Sequence, residues 1–264
     1  MSQILIINLA VIAISLFTLW CVSIRIRDAS IIDIFWGPGF GIVALTTFIL
    51  TEAPGPSGLL LTAFACLWSI RLGTHLAGRW LSHGQKEDPR YIAMRKKAGP
   101  SFGRRSLITV YGLQGGLMWL VSMPLQIGIS QSAGASFGYF TALGCVIFTL
   151  GFVIEALADA QLRDFKATPT NKGKIMSLGL WSWSRHPNYF GNACLWWGLF
   201  FIAADAPYGV FTVASPAIMT FLLLRVSGVS LLERRMARAK PEYVEYQQSV
   251  NAFVPLPPSW KRHK

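Results

Sequence analysis

The residues most able to do chemistry lie between Trp181 and Gly198. This segment reads WSWSRHPNYFGNACLWWG, so Arg185, His186, Asn188 and Tyr189 come directly before an apolar stretch rich in tryptophan. An Arg inside a membrane helix costs about 2.5–3.5 kcal/mol on insertion scales, so it persists there mainly when a ligand or partner satisfies it. At the mouth of a membrane segment, such groups could meet a charged cofactor from the water and a lipid-like substrate from the bilayer.

Each polar residue of this segment has a chemistry of its own. The planar guanidinium of Arg185, with its paired N–H donors, suits phosphate or carboxylate. The proline after His186 biases that residue away from helical geometry, so a new helix is expected to begin there, with the backbone N–H groups of Asn188 and Tyr189 open to an anion. The alternative is a belt of aromatic residues at headgroup level. That alternative explains the tryptophans but not the Arg, His and asparagines, so we favour a functional site.

A second polar pattern precedes this segment. Glu155, Asp159, Arg163 and Lys166 follow one another at spacings of four, four and three residues. On a helix they share one face, acidic towards the membrane and basic towards water. Such a row could form surface salt bridges of about 0.3–0.5 kcal/mol each. It could equally bind ribose hydroxyls through the acids and phosphates through the bases, and the residues alone leave both interpretations open.

Further polar residues interrupt apolar segments. They are Asp33, Arg71, His75 and Arg225, the last with apolar residues on both sides. Ionisable residues at membrane depth are candidate site residues by default, with partners to be named. Asp33 and Arg71 could pair, and such a pair could be purely structural.

Composition shows what must position these groups. The chain has 264 residues, 53% hydrophobic and 14% charged, whereas a soluble domain carries nearer a quarter charged residues. A helix needs roughly 20 apolar residues to cross a bilayer. We therefore predict an all-α, polytopic membrane bundle of about seven transmembrane helices, forming a single domain over 1–264. The predicted spans are 3–24, 31–50, 57–76, 106–129, 136–157, 188–204 and 207–227.

The basic residues behind the net charge of +12 are unevenly placed along the chain. The connections near 51–57, 130–135 and 204–208 contain no Lys or Arg. With seven spans, all basic segments fall on one side, which the positive-inside bias makes cytoplasmic. We therefore expect an outside N-terminus, a cytoplasmic C-terminus and contact with membrane lipids, and we do not expect nucleic-acid binding.

The sequence lacks the signatures of several kinds of site. The four cysteines lie in apolar segments without metal-ligand spacing, so neither a metal site nor a disulfide is expected. Glycine-rich dinucleotide, Walker, HExxH and GxSxG motifs are missing. Any nucleotide cofactor must be bound by helices and loops.

The chain resembles the C-terminal half of the steroid 5-alpha-reductase-like superfamily, and in detail its bacterial branch. The resemblance covers roughly Gly151 to Pro258 and extends to the AspIlePheTrpGly stretch at 33–37. The shared motifs are LeuArgAspPheLys (162–166), GlyLeuTrp (179–181), SerArgHisProAsnTyrPheGly (184–191), LeuLeuGluArg (231–234) and a tail that begins GluTyrValGluTyr and ends PheValPro (242–255).

The resemblance implies reduction, by NADPH, of a carbon–carbon double bond conjugated to a carbonyl in a steroid or other lipid, in a bacterial inner membrane. It implies a cofactor-binding half over 151–258. Tyr91, Arg71 or His75 would polarise the carbonyl, and Asp33 would orient the donor. The family's cofactor roles would fall on Asp159, Arg163, Lys166, Trp181, Arg185, His186, Asn188, Tyr189 and Arg225.

Two departures and one alternative accompany the resemblance. The Gln-Glu pair with which eukaryotic steroid reductases bind the substrate ketone is missing, so steroid specificity does not transfer. Asn192 stands where the family often has Glu or Asp. Isoprenylcysteine and phospholipid methyltransferases carry a similar ArgHisProXaaTyr cluster and bind S-adenosylmethionine, which makes a membrane methyltransferase the alternative. The helix with Asp159, Arg163 and Lys166 favours the reductase. A membrane scaffold or transporter would leave the polar mouth without a role.

Overall fold

A computed structural model describes residues 1–82, 84–134, 137–226 and 228–257, without the side chains of residues 231, 234, 235 and 239. Pro258, the last residue of the predicted cofactor-binding half, lies outside these ranges. Every element of three or more residues in the described ranges is helical, which confirms the predicted all-α class. The α-helices are α1 (Ser2–Ile26), α2 (Ile31–Leu50), α3 (Pro56–Ser82), α4 (Pro89–Ala98), α5 (Phe102–Ser106), α6 (Leu113–Val121), α7 (Met123–Ser130), α8 (Tyr139–Ala167), α9 (Pro187–Ala204), α10 (Ala214–Phe221), α11 (Val229–Ala239) and α12 (Tyr243–Ser249).

Among the described residues, five helical stretches are long and apolar enough to cross a membrane, judged by length and composition. A sixth is added if Pro89–Val121 and Met123–Ser130, which meet at 41°, count as one span. The predicted membrane bundle is thereby confirmed, but the predicted count of seven is not reached. The segment 188–204 does form a helix, α9, yet it is not among the candidates because its first turns carry asparagines and a tyrosine. The five stretches are Ser2–Ile26, Ile31–Leu50, Pro56–Ser82, Tyr139–Ala167 and Gly209–Val226.

The chain forms two compact units. The first unit comprises Met1–Thr141 and Phe201–Ser215, and the second comprises Ala142–Phe200 and the described part of Pro216–Lys264.

In the first unit, glycines bring α2 close to α3. A Cβ atom at Gly41 would lie 2.9 Å from the side chain of Ser69, and one at Gly73 would lie 2.8 Å from the ring of Pro38. Small residues at such positions let membrane helices approach closely enough for dispersion contacts. The side chains of Trp68 and other large residues beside this contact are almost fully buried.

Helix α1 makes polar contacts with other helices of the first unit, although most of its surface is exposed. The Nδ2 of Asn8 donates to the Oγ1 of Thr47 at 2.8 Å and to the Oε1 of Gln126 at 3.2 Å, and all three residues are buried. The indole of Trp119 donates to the carbonyl of Leu5 at 3.0 Å. Hydrogen bonds between membrane helices contribute about 0.6 kcal/mol each on average, and here they set the position of α1.

In the second unit, α8 and α9 pack at closer range still. A Cβ atom at Gly191 would lie 2.6 Å from both the backbone nitrogen of Glu155 and the carbonyl oxygen of Gly151. One at Gly198 would lie 2.5 Å from the backbone nitrogen of Phe148. Backbone contact of this kind requires glycine, and it brings polar side chains of α9 within hydrogen-bonding distance of the acids of α8.

Candidate functional site

Two acid–asparagine pairs lie between α8 and α9 in the second unit. Asn188 donates from Nδ2 to the Oδ1 of Asp159 at 3.0 Å, and Asn192 donates from Nδ2 to the Oε1 of Glu155 at 3.2 Å. Glu155 and Asp159 are only 4% and 7% exposed. Buried carboxylates are costly unless hydrogen bonds satisfy them. These two acids therefore do not belong to a solvated face of surface salt bridges.

The basic end of the same row lies at the surface. Arg163 has 66% of its side chain exposed and pairs through Nε with the Oδ1 of its neighbour Asp164 at 3.1 Å. An exposed pair of this kind contributes at most about 1 kcal/mol, so Arg163 can exchange its partner for a ligand. Lys166, in the last turn of α8, is also exposed. The row thus runs along α8 from buried acids to exposed bases.

The chain before α9 is fastened onto α8. The indole of Trp181 donates from Nε1 to the carbonyl of Ala158 at 3.0 Å, and the backbone N–H of Leu180 donates to the Oε1 of Gln161 at 3.0 Å. Gly179 has a φ of 59°, and a Cβ there would meet the amide of Gln161 at 2.7 Å, so both conformation and space call for glycine. Trp181, a predicted cofactor residue, is 8% exposed and fixes this turn. Gln161 was not among the predicted residues.

Arg185 is buried, and its guanidinium is fully used within the second unit. Its NH2 donates to the Oε2 of Glu233 at 2.8 Å, its Nε donates to the other oxygen of that carboxylate, and its NH1 donates to the carbonyls of Gln247, at 2.8 Å, and Val250. It is 8% exposed. Its role as a phosphate ligand stays a prediction, and filling that role requires these bonds to be exchanged. Here Arg185 joins the start of α9 to α11 and the C-terminal tail.

His186 completes this cluster. Its Nε2 lies 3.3 Å from the Oε1 of Glu233, and its ring stacks on that of Tyr189 with centroids 5.5 Å apart and planes within 3° of parallel. The helix α9 begins at Pro187, where the sequence placed the break. Glu233 was not among the predicted site residues, although it is the acid that joins Arg185 and His186. Its place in the LeuLeuGluArg motif was the available signal.

Glu233 makes the second unit sensitive to acid. Burial opposes its charged form, but hydrogen bonds from His186 and Arg185 and the charge of Arg185 lower the pKa of the Glu233 carboxyl from 4.5 to about 2. The depressed pKa means that the stabilisation is complete above pH 4.5 and is lost as pH falls through about 2, with a total near 3 kcal/mol. We expect the melting temperature in detergent to drop over that window, and the Glu233→Gln variant to show a smaller drop from a lower starting point. Parallel melting curves for the two proteins would contradict this assignment.

Arg225 stands apart from these contacts. It lies in the π-helical segment Leu222–Val226 and is exposed, and no described contact joins it to Arg185 or to Asp159. Its assignment to the cofactor stays a prediction.

A separate polar cluster lies in the first unit. The Oδ2 of Asp33 accepts from the NH2 of Arg90 at 2.5 Å, and its Oδ1 accepts from the hydroxyl of Tyr91 at 2.8 Å. Gln114 donates from Nε2 to the same hydroxyl at 3.3 Å. Asp33 therefore binds Arg90 and not Arg71, because side chains in the first turn of α4 reach the first turn of α2. A pairing with Arg71 was the possibility that the sequence left open.

Of the four predicted catalytic residues, the structure thus brings Asp33 and Tyr91 into contact. Tyr91 is 6% exposed. Arg71 and His75 lie one turn apart on α3 and are half-buried. Among the described residues, no group of three or more His, Cys, Asp or Glu could hold a metal ion.

The comparisons with known proteins place the chain in a family. A family model described as a protein of unknown function, DUF1295, matches residues 19–250, so the chain belongs to this family of steroid 5-alpha-reductase-like membrane proteins. The chain is 24% identical over 262 residues to the uncharacterized protein C594.04c of Schizosaccharomyces pombe, covering 90% of this chain and 75% of the relative. It is 37% identical over 71 residues to the probable O-methyltransferase ustE of Ustilaginoidea virens, covering 27% of this chain and 25% of that protein. No solved structure matches.

Proposed function

We propose that this protein is an NADPH-dependent membrane reductase that reduces a carbon–carbon double bond conjugated to a carbonyl in a lipid-like substrate. The observation that carries the proposal is the row on α8, in which buried Asp159 is followed on the same face by the exposed bases Arg163 and Lys166. NADPH combines ribose hydroxyls, which a carboxylate can bind, with phosphates, which cations bind. S-Adenosylmethionine has no phosphate, so exposed bases at this place favour the phosphate-bearing cofactor.

The residues present fit such a cofactor. Asp159 and Asn188 would bind the ribose side, and Arg163 and Lys166 would bind phosphate, at the cytoplasmic face by the positive-inside bias. When bound, NADPH supplies the hydride that adds to the β-carbon of the conjugated system. The chain has to orient the cofactor, deliver a proton to the α-carbon and place a donor at the carbonyl oxygen, where negative charge gathers.

The donor at the carbonyl oxygen stays a proposal on three residues. The hydroxyl of Tyr91 donates to Asp33, so it can donate to the carbonyl oxygen only if that hydrogen bond is exchanged. Arg71 and His75 are the other donors that the sequence predicted. The substrate class, a lipid-like molecule with a conjugated carbonyl, rests on the resemblance and on the membrane setting of the fold.

A methyltransferase that uses S-adenosylmethionine is the second candidate. The match of 71 residues to the probable O-methyltransferase ustE favours it. The hydrogen bonds of the Arg185 guanidinium within the protein also favour the methyltransferase, because they occupy one of the expected phosphate ligands. Both candidates modify a lipid at the membrane surface, and they differ in the charge of the cofactor.

Side-by-side thermal unfolding with NADPH and S-adenosylmethionine tests the proposal. A ligand at 100 times its dissociation constant stabilises by about 2.7 kcal/mol, which is readily seen as a melting shift of the detergent-purified protein. We expect a shift with NADPH and none with S-adenosylmethionine. We expect Arg163→Gln to weaken NADPH binding roughly tenfold or more, because a hydrogen bond to a charged group is lost.

Arg238→Gln is the matched control, since Arg238 is exposed on α11 and has no assigned role at the site. It should bind NADPH as the unmodified protein does. A shift with S-adenosylmethionine alone would overturn the reductase proposal in favour of the methyltransferase. Unchanged NADPH affinity in Arg163→Gln would refute the placement of phosphate on α8.

A further inference from the structure

A group of exposed cations lies at one end of the first unit, where α1 ends and α4 and α5 follow. We name it the basic patch. Its side chains are all exposed, and none takes part in an ion pair among the described residues. The members are Arg25, Arg27, Lys96, Lys97, Arg104 and Arg105.

Two hydrogen bonds join the segments of the basic patch. The NH2 of Arg95 donates to the carbonyl of Arg27 at 3.2 Å, which joins α4 to the end of α1. The indole of Trp20 donates to the carbonyl of Gly103 at 2.9 Å, and a Cβ at Gly103 would lie 3.4 Å from Ile24. Residues separated by about 80 positions in the chain therefore form one surface.

The nearby acids do not neutralise this surface. Glu87 accepts from Arg95 at 2.7 Å and from the backbone N–H of Ala29 at 2.8 Å. Asp28 is 4% exposed and accepts from the backbone N–H of Ser30 and the indole of Trp80, each at 2.8 Å. Because these carboxylates are engaged by other donors, the cations of the basic patch are exposed without an acidic partner among the described residues.

An apolar surface continues directly from the basic patch. Ile24, Ile26 and Ile108 are 40%, 48% and 75% exposed. Ile24 and Ile26 belong to the membrane-spanning helix α1, and Ile108 follows α5 in the candidate span that begins at Pro89. Lys and Arg beside an apolar surface keep their charged heads in water while their stems lie along that surface. This arrangement of cations above an apolar surface complements the two parts of an anionic phospholipid.

We propose that the basic patch is a binding site for the phosphate headgroups of anionic phospholipids in the leaflet at this end of the first unit. Exposed acyl chains would lie along the isoleucines, and the lipid phosphates would bind the cations of α4 and α5. The proposal does not depend on the proposed function, because it holds equally for a reductase and a methyltransferase.

Native mass spectrometry of the full chain tests this site. The detergent-purified protein is incubated with phosphatidylglycerol and phosphatidylcholine of identical acyl chains. Each Lys or Arg near an anionic surface strengthens binding roughly fivefold. We expect the unmodified protein to retain phosphatidylglycerol preferentially, and the triple variant Lys96→Gln, Arg104→Gln, Arg105→Gln to lose that preference by tenfold or more.

A control variant removes the same number of exposed charges from the second unit, as Lys172→Gln, Lys174→Gln, Arg238→Gln, and should keep the preference. If the first triple variant unfolds, the double variant Lys96→Gln, Lys97→Gln on α4 replaces it. Equal losses in the patch and control variants, or an undiminished preference in the patch variants, would overturn the proposal. Displacement of the lipid by inorganic phosphate at equal concentration would identify a free-phosphate site and would also overturn it.

Discussion

Replacing Arg185 by glutamine is expected to lower the free energy of unfolding of the second unit by about 3–5 kcal/mol. Removing one partner of a buried ion pair leaves the other charge without compensation, here the carboxylate of Glu233. The carbonyls of Gln247 and Val250 would lose a donor as well. The measurement is thermal unfolding in detergent, followed with a probe in the second unit.

The same variant is expected to release the C-terminal tail. The tail runs beside the start of α9, where the backbone N–H of Arg185 donates to the carbonyl of Asn251 at 2.8 Å and that of Leu256 donates to the carbonyl of Trp183 at 3.1 Å. Tyr243 and Tyr246 in α12 are buried, 4% and 8% exposed. We expect Arg185→Gln to expose them to chymotrypsin and to speed cleavage.

The matched control for this experiment is Arg238→Gln, which removes an exposed cation from α11. It should change stability by less than about 0.5 kcal/mol and leave cleavage unchanged. An Arg185→Gln protein that melts and cleaves like this control would show that Arg185 does not tie down the tail. Its assignment as a phosphate ligand would then gain support.

A Gly191→Ala substitution is expected to destabilise the second unit by roughly 3 kcal/mol, at the upper end of overpacking effects. The added Cβ would lie 2.6 Å from backbone atoms of Glu155 and Gly151, and backbone cannot rotate away as a side chain can. The helices must move apart, and the bond between Asn188 and Asp159 lengthens with them. We therefore expect weaker NADPH binding together with a lower melting temperature.

Gly116→Ala is the matched control, because Gly116 lies in α6 and a Cβ there would meet nothing within 4 Å. Alanine favours a helix over glycine by up to about 1 kcal/mol, so this variant should be unchanged or slightly more stable. A Gly191→Ala protein as stable as Gly116→Ala would refute the close approach of α8 and α9.

Local patterns were sufficient for much of the architecture. The long apolar runs predicted the helices of the bundle, because hydrocarbon tolerates only backbone that satisfies its own hydrogen bonds. The proline after His186 predicted the start of α9, which begins at Pro187. Spacings of three and four residues predicted that Asp159 and Arg163 share one face of α8. Each of these depends on neighbours along the chain, which a single sequence displays directly.

The number of membrane spans was harder to predict from the sequence than the helices themselves. The segment 188–204 is long enough to be a span, but its polar first turns place it outside the candidate spans. Length and mean apolarity identify a membrane span only when both support it. The asparagines that lower its apolarity are the residues that bind the acids of α8. The same residues therefore form the polar site and keep the segment outside the candidate spans.

By itself, the sequence determined the helical class, the membrane setting and the position of the polar segment around Arg185 and His186. The tertiary structure decided which charges meet. Glu233 binds Arg185 from 48 residues away, and Asp33 binds Arg90 from 57 residues away. The basic patch likewise combines α1 with α4 and α5. Helix periodicity orders side chains only within one helix, whereas partners on different helices depend on close packing at positions such as Gly151 and Gly191, which no local pattern reveals.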